Sequence, residues 1–290
     1  MGAGRSGTTA LSTFLGASEE IQVLGEMHQF YEHIRQGKLC SCGAQIVQCK
    51  FWVAVLEQLQ IDIVSNVEGL ERAGKAIEAH RAIVKHIVKG RNLDGLDTYL
   101  NNWQNIFEAC VTKSGKYTFL DSAKYIGRIL ALRHLKNTDV KVIYMVRDVR
   151  GVVHSFSKKV QTSRGDLSTI IYYLLVNIMA EIVRWTSLRG KVIKVRYEDM
   201  MDDPDIFFSK LETFLGVNLD PVSTKIQKSE QFNIEHFIGG NRLLANKTIK
   251  FRRDTEWKHS QSKLKQFFLY LAAAPIMLLN QYNIFPRDLG

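Results

Sequence analysis

The sequence predicts a three-layer α/β/α fold with a central parallel sheet. Three observations predict it. Continuous apolar runs rich in β-branched residues, VKVIYMV and KVIKVRY, read as buried strands. Stretches with helical spacing of apolar residues alternate with them, as βαβ units require. A glycine-rich loop, Gly2 to Thr9, opens the sequence and runs into a helix. The 290 residues are 46% hydrophobic and 23% charged, which excludes a disordered chain and allows one large domain spanning 1–290. Four prolines, no low-complexity stretch and no repeat leave no linker to divide it.

The elements follow in order. The opening loop leads into a short helix, and IQVLGE forms a strand with a helix over 27–36 after it. KLCSCGAQIVQC is a loop, and 50–60, 73–88 and 94–112 are helices. KYTFLD is a strand, 124–135 a helix and VKVIYMV a strand. Helices over 149–160 and 167–187 precede the strand KVIKVRY. The last helices are 204–215, stopped by Gly216, and 261–281. The largely helical stretch from about 30 to 113 stands as an insertion between the first loop and the next long strand. A phosphate-binding loop is normally fed by a buried strand, so a strand ahead of Gly2 is expected to be missing from the sequence. In such a sheet, ligands sit at the carboxyl ends of the strands.

The formal net charge of +10 favours anionic partners, and the spread of the basic residues argues against a nucleic-acid stripe. No nucleic-acid partner is expected. The four cysteines, Cys40, Cys42, Cys49 and Cys110, are too few for a disulfide scaffold. The apolar stretch Phe267 to Leu279 is too short for a membrane span and contains Pro275. No signal peptide is read at the start, so a cytoplasmic, reducing setting is expected. The sequence assigns no oligomeric state.

The loop Gly2-Ala3-Gly4-Arg5-Ser6-Gly7-Thr8-Thr9 is a phosphate cradle: glycines admit backbone N–H groups to anionic oxygens at a helix start. GAGRSG also fits the dinucleotide pattern, with Glu26 placed as a ribose-binding acid. A Walker loop would need lysine where Thr8 stands. The second motif separates these readings. Strand VKVIYMV delivers Arg147 at its carboxyl end, and Ser155 follows eight residues later on a helix. A guanidinium fork and a hydroxyl suit a phosphate monoester.

Together these motifs resemble the sulfotransferases that use 3′-phosphoadenosine 5′-phosphosulfate (PAPS). Arg5-Ser6-Gly7-Thr8-Thr9 resembles their 5′-phosphosulfate loop, and V-R-D-x-R-x-x-x-x-S over Val146–Ser155 their 3′-phosphate motif. The resemblance runs from Gly2 to about Trp257, with YED at 197–199 as a structural element. It implies a P-loop-like fold of the bacterial type, and donor binding by Gly4, Arg5, Ser6, Gly7, Thr8, Thr9, Arg147 and Ser155. Asn241 and Arg242, in a Gly-Gly-Asn-Arg stretch, resemble the loop folding over the donor; Lys250 and Arg252 are further candidates there. Gly25-Glu26 resembles the Gly-Glu pair of the tyrosylprotein branch, which makes Glu26 the general base. His28 and His154 are the alternatives. Asp121-Ser122-Ala123-Lys124 resembles a DSSK element with alanine for the second serine, so Lys124 joins Arg5 in neutralising the sulfonate. The acceptor is a hydroxyl or amine on an unidentified sugar, lipid, phenol or peptide. Competing readings are an NAD(P)-dependent oxidoreductase, which leaves Arg147 and Ser155 without a role, and an inactive nucleotide-binding protein.

The mechanism requires no metal. Cys40, Cys42 and Cys49 form C-x-C-x6-C in one loop, with His28 or His33 as possible fourth ligand. Free thiols or a loop disulfide are the preferred reading. The aromatic residues Phe51, Trp52, Tyr99 and Trp103 of the insertion are expected in the core, with the insertion on the acceptor side.

Overall fold

The structure, a computed structural model, describes residues 1–59, 62–158, 164–240 and 248–285. They gather into two compact units that interleave along the chain. The first comprises Met1, Thr9–Val142 and Ser209–Phe251; the second comprises Gly2–Thr8, Ile143–Phe208 and Arg252–Gly290.

In the first unit, α1 (Thr8–Leu15) precedes β1 (Ile21–Gly25), which pairs in parallel with β2 (Thr118–Asp121). The register slips between Val23 and Gly25, so β1 carries a bulge at its carboxyl end. Bulges re-aim the chain that follows, and here that chain is Glu26. Gly25 makes the turn possible: its φ is +90°, and a Cβ there would lie 2.3 Å from the Ile238 carbonyl oxygen. The helical insertion holds α2 (Phe30–Gln36), α3 (Lys50–Glu57), α4 (Val67–Glu78), α5 (Ile83–Lys89) and α6 (Leu96–Ser114), and α7 (Ile126–Leu132) follows β2. Its core is aromatic: Phe30, Trp52 and Trp103 are at most 1% exposed, and Tyr99 and Phe51 are buried with them. These aromatics therefore hold the insertion together rather than line an acceptor surface.

The periodicity over 73–88 predicts one helix, and the structure breaks it between α4 and α5. Ala79 is extended (ψ 149°), and the end of α4 packs directly on α7. A Cβ on Gly127 would lie 2.5 Å from the Glu78 carbonyl oxygen, a close approach that hydrophobic spacing does not encode. The helix expected over 261–281 divides likewise into Lys263–Ala272 and Ala274–Leu279, where Pro275 fits the first turn of the second piece.

In the second unit, β3 (Val142–Val146) pairs with β4 (Val192–Arg196), and α8 (Val149–Ser157) and α9 (Asp166–Trp185) lie between them in sequence. Among the described residues the strands pair as two-stranded ladders. The third ladder, Gln231–Asn233 with Thr248–Lys250, is antiparallel and unpredicted. Helix α9 is long and apolar enough to cross a membrane. Its buried side nevertheless carries Asn177, which accepts from Tyr144 Oη at 2.9 Å, and Glu181, paired with Lys194 at 2.6 Å. Those polar contacts are what a packed helix makes. The unit's core gathers Val149, Val152, Val153, Tyr173, Val176 and Met277 around the buried Ala3.

Candidate active site

Two groups of candidate side chains emerge, one in each unit. In the second unit, the loop Gly2–Thr8 lies against the end of β3. Gly2 (φ +129°) could not carry a side chain, because a Cβ would lie 2.3 Å from the Met145 carbonyl oxygen. Gly7 (φ +92°) is as constrained, with the Tyr197 ring 2.5 Å from its Cβ position. Arg5 adopts φ +68°, and the Gly4 N–H donates to Tyr172 Oη at 2.9 Å. The loop is therefore shaped by Gly2 and Gly7 and tied down by an aromatic hydroxyl.

Arg147 closes this group. It is 4% exposed, donates from Nη1 to the Arg5 carbonyl at 3.2 Å, and stacks 4.3 Å from the Tyr197 ring centroid. Its Nη2 pairs with Asp254 Oδ2 at 3.1 Å. Burial raises the Asp254 carboxyl and Arg147 lowers it, and the net shift is downward, so Asp254 is an anion. Among the described residues, two polar atoms of this group are buried with no partner: Arg147 Nε and Ser6 Oγ. Buried donors are ordinarily satisfied, so a cationic N–H and a hydroxyl left unspent in this group fit anionic oxygens of a ligand. Ser155 is buried on α8. Asn241 and Arg242 lie outside the described residues, and Lys250 and Arg252 are exposed.

The neighbouring motif residues have structural work. Asp148 caps α8 through the Arg150 N–H at 2.9 Å and grips the Arg150 side chain. Arg150 in turn donates to the Ile284 carbonyl at 2.7 Å and sits over Trp257. Glu198 accepts from the Asp148 N–H at 3.1 Å and from Tyr282 Oη at 2.7 Å; burial, with Asp148 adding to it, pushes its carboxyl up. Tyr197 and Glu198 thus brace the Arg147 region. His154 is bound to Glu256 at 3.4 Å and Ser260 at 3.2 Å on the surface.

In the first unit, the β1 bulge delivers Glu26 to Lys124. Their side chains meet at 2.5 Å with 12% and 21% exposure, and Gln29 Nε2 donates to the other Glu26 oxygen at 2.7 Å. The Glu26 N–H donates to the Ile238 carbonyl at 2.7 Å, and Gly239 (φ +76°) allows close approach, its Cβ position lying 3.0 Å from Glu26 Cβ. Asp121 sets the turn that carries Lys124, accepting from the Ala123 N–H at 2.8 Å and the Met27 N–H at 3.3 Å. Arg128, 1% exposed, holds Asp121 at 2.7 Å and also grips Glu78 and Tyr99 Oη. Ser122 Oγ is buried with no partner among the described residues. His28 lies 3.9 Å from Glu26, but burial lowers its pKa to about 4, too low for an efficient base near neutrality.

The structure therefore brings Glu26 to Lys124, and Arg147 to the backbone of Arg5. Sequence reasoning missed Gln29, Asp254 and Tyr172. Gln29 had a signal, its place three residues after Glu26; the others come from distant segments.

A glycine cradle with a buried arginine, and a carboxylate held by an ammonium, are the equipment of a group-transfer α/β enzyme. The chain belongs to the sulfotransferase family, whose family model matches residues 1–221, and it is a transferase by that membership. It is similar in fold to the sulfotransferase domain from the curacin biosynthetic pathway (TM-score 0.57, 17% identity, 97% of this chain and 96% of that one). It is also similar to the sulfotransferase domain from the Synechococcus PCC 7002 olefin synthase (TM-score 0.54, 17% identity, 97% and 93%). Both support the P-loop-like α/β/α architecture. No curated protein matches the sequence.

Proposed function

We propose that the protein transfers a sulfonate group from PAPS to a hydroxyl or amine acceptor, with Glu26 as general base. The observation that supports this most is the cradle: a strand-end Arg147 whose Nε has no partner among the described residues, bonded to the very loop whose Ser6 hydroxyl likewise has none there. Arg147 and Ser155 are assigned to the 3′-phosphate, and residues 4–9 to the phosphosulfate. Asp254 neutralises Arg147 before the donor arrives and yields part of that charge to the phosphate. Asn241 and Arg242 are assigned to the donor on sequence resemblance alone.

In the reaction the acceptor oxygen or nitrogen forms a bond to sulfur as the bond from sulfur to the phosphate oxygen breaks. Glu26 takes the acceptor proton, and 3′-phosphoadenosine 5′-phosphate (PAP) leaves with the bond electrons. Lys124 and Arg5 neutralise the sulfonate oxygens and the leaving phosphate, as preorganised charge does in related displacements. Until the acceptor displaces it, Lys124 keeps Glu26 oriented. Residues 1–290 work as one catalytic domain in a cytoplasmic setting, and no step calls for a metal.

The donor assignment is tested by nucleotide selectivity in thermal unfolding. PAP at about 100 times its dissociation constant stabilises the protein by about 2.7 kcal/mol, whereas adenosine 5′-monophosphate at the same concentration stabilises it far less. Equal stabilisation by the two nucleotides would deny the 3′-phosphate any site.

A further inference from the structure

The cysteines of the C-x-C-x6-C loop meet a fourth ligand that their spacing does not announce. Cys42 Sγ lies 3.6 Å and Cys40 Sγ 3.9 Å from Cys49 Sγ, and His236 Nδ1 lies 3.2 Å from that same sulfur. All four ligand atoms lie within 4.8 Å of one another. A tetrahedral zinc, with Zn–S about 2.3 Å and Zn–N about 2.0 Å, holds its ligand atoms roughly 3.5–3.8 Å apart. A disulfide would instead need about 2.05 Å, and all four cysteines of the chain are free. The candidates named from sequence do not take part: His33 is bound to the Gln29 carbonyl at 3.0 Å, and His28 stands beside Glu26.

The chain around these atoms is organised to present them. Leu39 and Gln45 pair antiparallel, the Cys40 N–H donates to the Ala44 carbonyl at 2.8 Å, and Gly43 (φ +89°) closes the turn carrying Cys40 and Cys42. Cys49 is the residue preceding α3, where helix N–H groups favour a thiolate. His236 arrives from 187 positions away and is held on several sides. Its ring stacks on Phe51 (5.4 Å, 15°), and its carbonyl accepts from Trp52 Nε1 at 3.2 Å. The next residue, Phe237, pairs with Ser41 through both backbone and side chain. His236 has φ +51°, uncommon for a residue of its size, so these contacts must enforce it.

We propose that Cys40, Cys42, Cys49 and His236 bind one structural zinc ion through three thiolates and an imidazole nitrogen. Four protein ligands leave no open position for substrate, so the ion is architectural. Binding releases the three thiol protons to solvent and leaves every redox state unchanged. The ion ties the Cys40–Gly43 turn to the 236–238 segment. Ile238 in that segment accepts the Glu26 N–H and donates to the Leu24 carbonyl, so the zinc anchors the backbone that Glu26 hangs on.

The test is the metal content of the full chain purified under reducing conditions, followed by cobalt substitution. One zinc per chain is expected, and the cobalt form should show a thiolate-to-metal charge-transfer band with the intense visible bands of a tetrahedral site. Cys42→Ser, at the exposed ligand, should retain zinc at least about tenfold less well against a chelator, while Cys110→Ser, outside the cluster, should match wild type. Chelator should lower the melting temperature of wild type more than that of Cys42→Ser, which starts with less zinc bound. A folded, reduced protein that takes up neither zinc nor cobalt would overturn the proposal. So would a loop disulfide by thiol titration, or equal retention by Cys42→Ser and wild type.

Discussion

Glu26→Gln lowers sulfonate transfer by about 10²–10⁴-fold, the usual contribution of a general base, and leaves PAP affinity nearly unchanged. The substitution preserves shape and the backbone bond to Ile238, since that bond uses the main chain. It removes the proposed proton acceptor and the charge that meets Lys124 at 2.5 Å. The readout is label transfer from sulfur-labelled PAPS to a pool of phenols, sugars, lipids and peptides, beside PAP titration of the same sample. Loss of PAP binding, or transfer at the wild-type rate, would take Glu26 out of the base role.

Arg128→Ala has the largest expected effect on stability. Arg128 satisfies Asp121, Glu78 and Tyr99 and lies 3.9 Å from the Trp103 ring centroid, all while 1% exposed. Removing one partner of a buried ion pair leaves uncompensated charge and costs about 3–5 kcal/mol. For a chain of this size that lowers the melting temperature by on the order of 10 °C. Activity falls as well, because Asp121 sets both the Ala123 and Met27 N–H groups around Lys124 and Glu26. Combining Arg128→Met with Glu78→Gln should cost less than the sum of the two changes, since each removes a charge the other needs. Additive losses measured by calorimetry would show that the network does not act as a unit.

Local pattern made much of this legible. The run VKVIYMV ends in Arg147 because a buried strand reads as continuous apolar sequence, and the residue after it can only be a strand-end side chain. IQVLGE likewise read as a strand, though the bulge at its end, where Gly25 has the left-handed φ that glycine supplies, was not foreseen. Contacts between distant segments stayed hidden. Asp254 meets Arg147 across 107 positions, and His236 meets Cys49 across 187. Neither separation leaves a periodic trace. The break at Ala79 was invisible for a related reason: it follows from Gly127 admitting the α4 backbone, which is a matter of shape.

The donor site is the centre of the account, and calorimetric titration with PAP, NAD and ATP on wild type and Arg147→Ala tests it most directly. Tight binding of PAP alone, lost in a folded Arg147→Ala variant, is the predicted result. A folded wild type that ignores PAP, or takes NAD in its place, would contradict it.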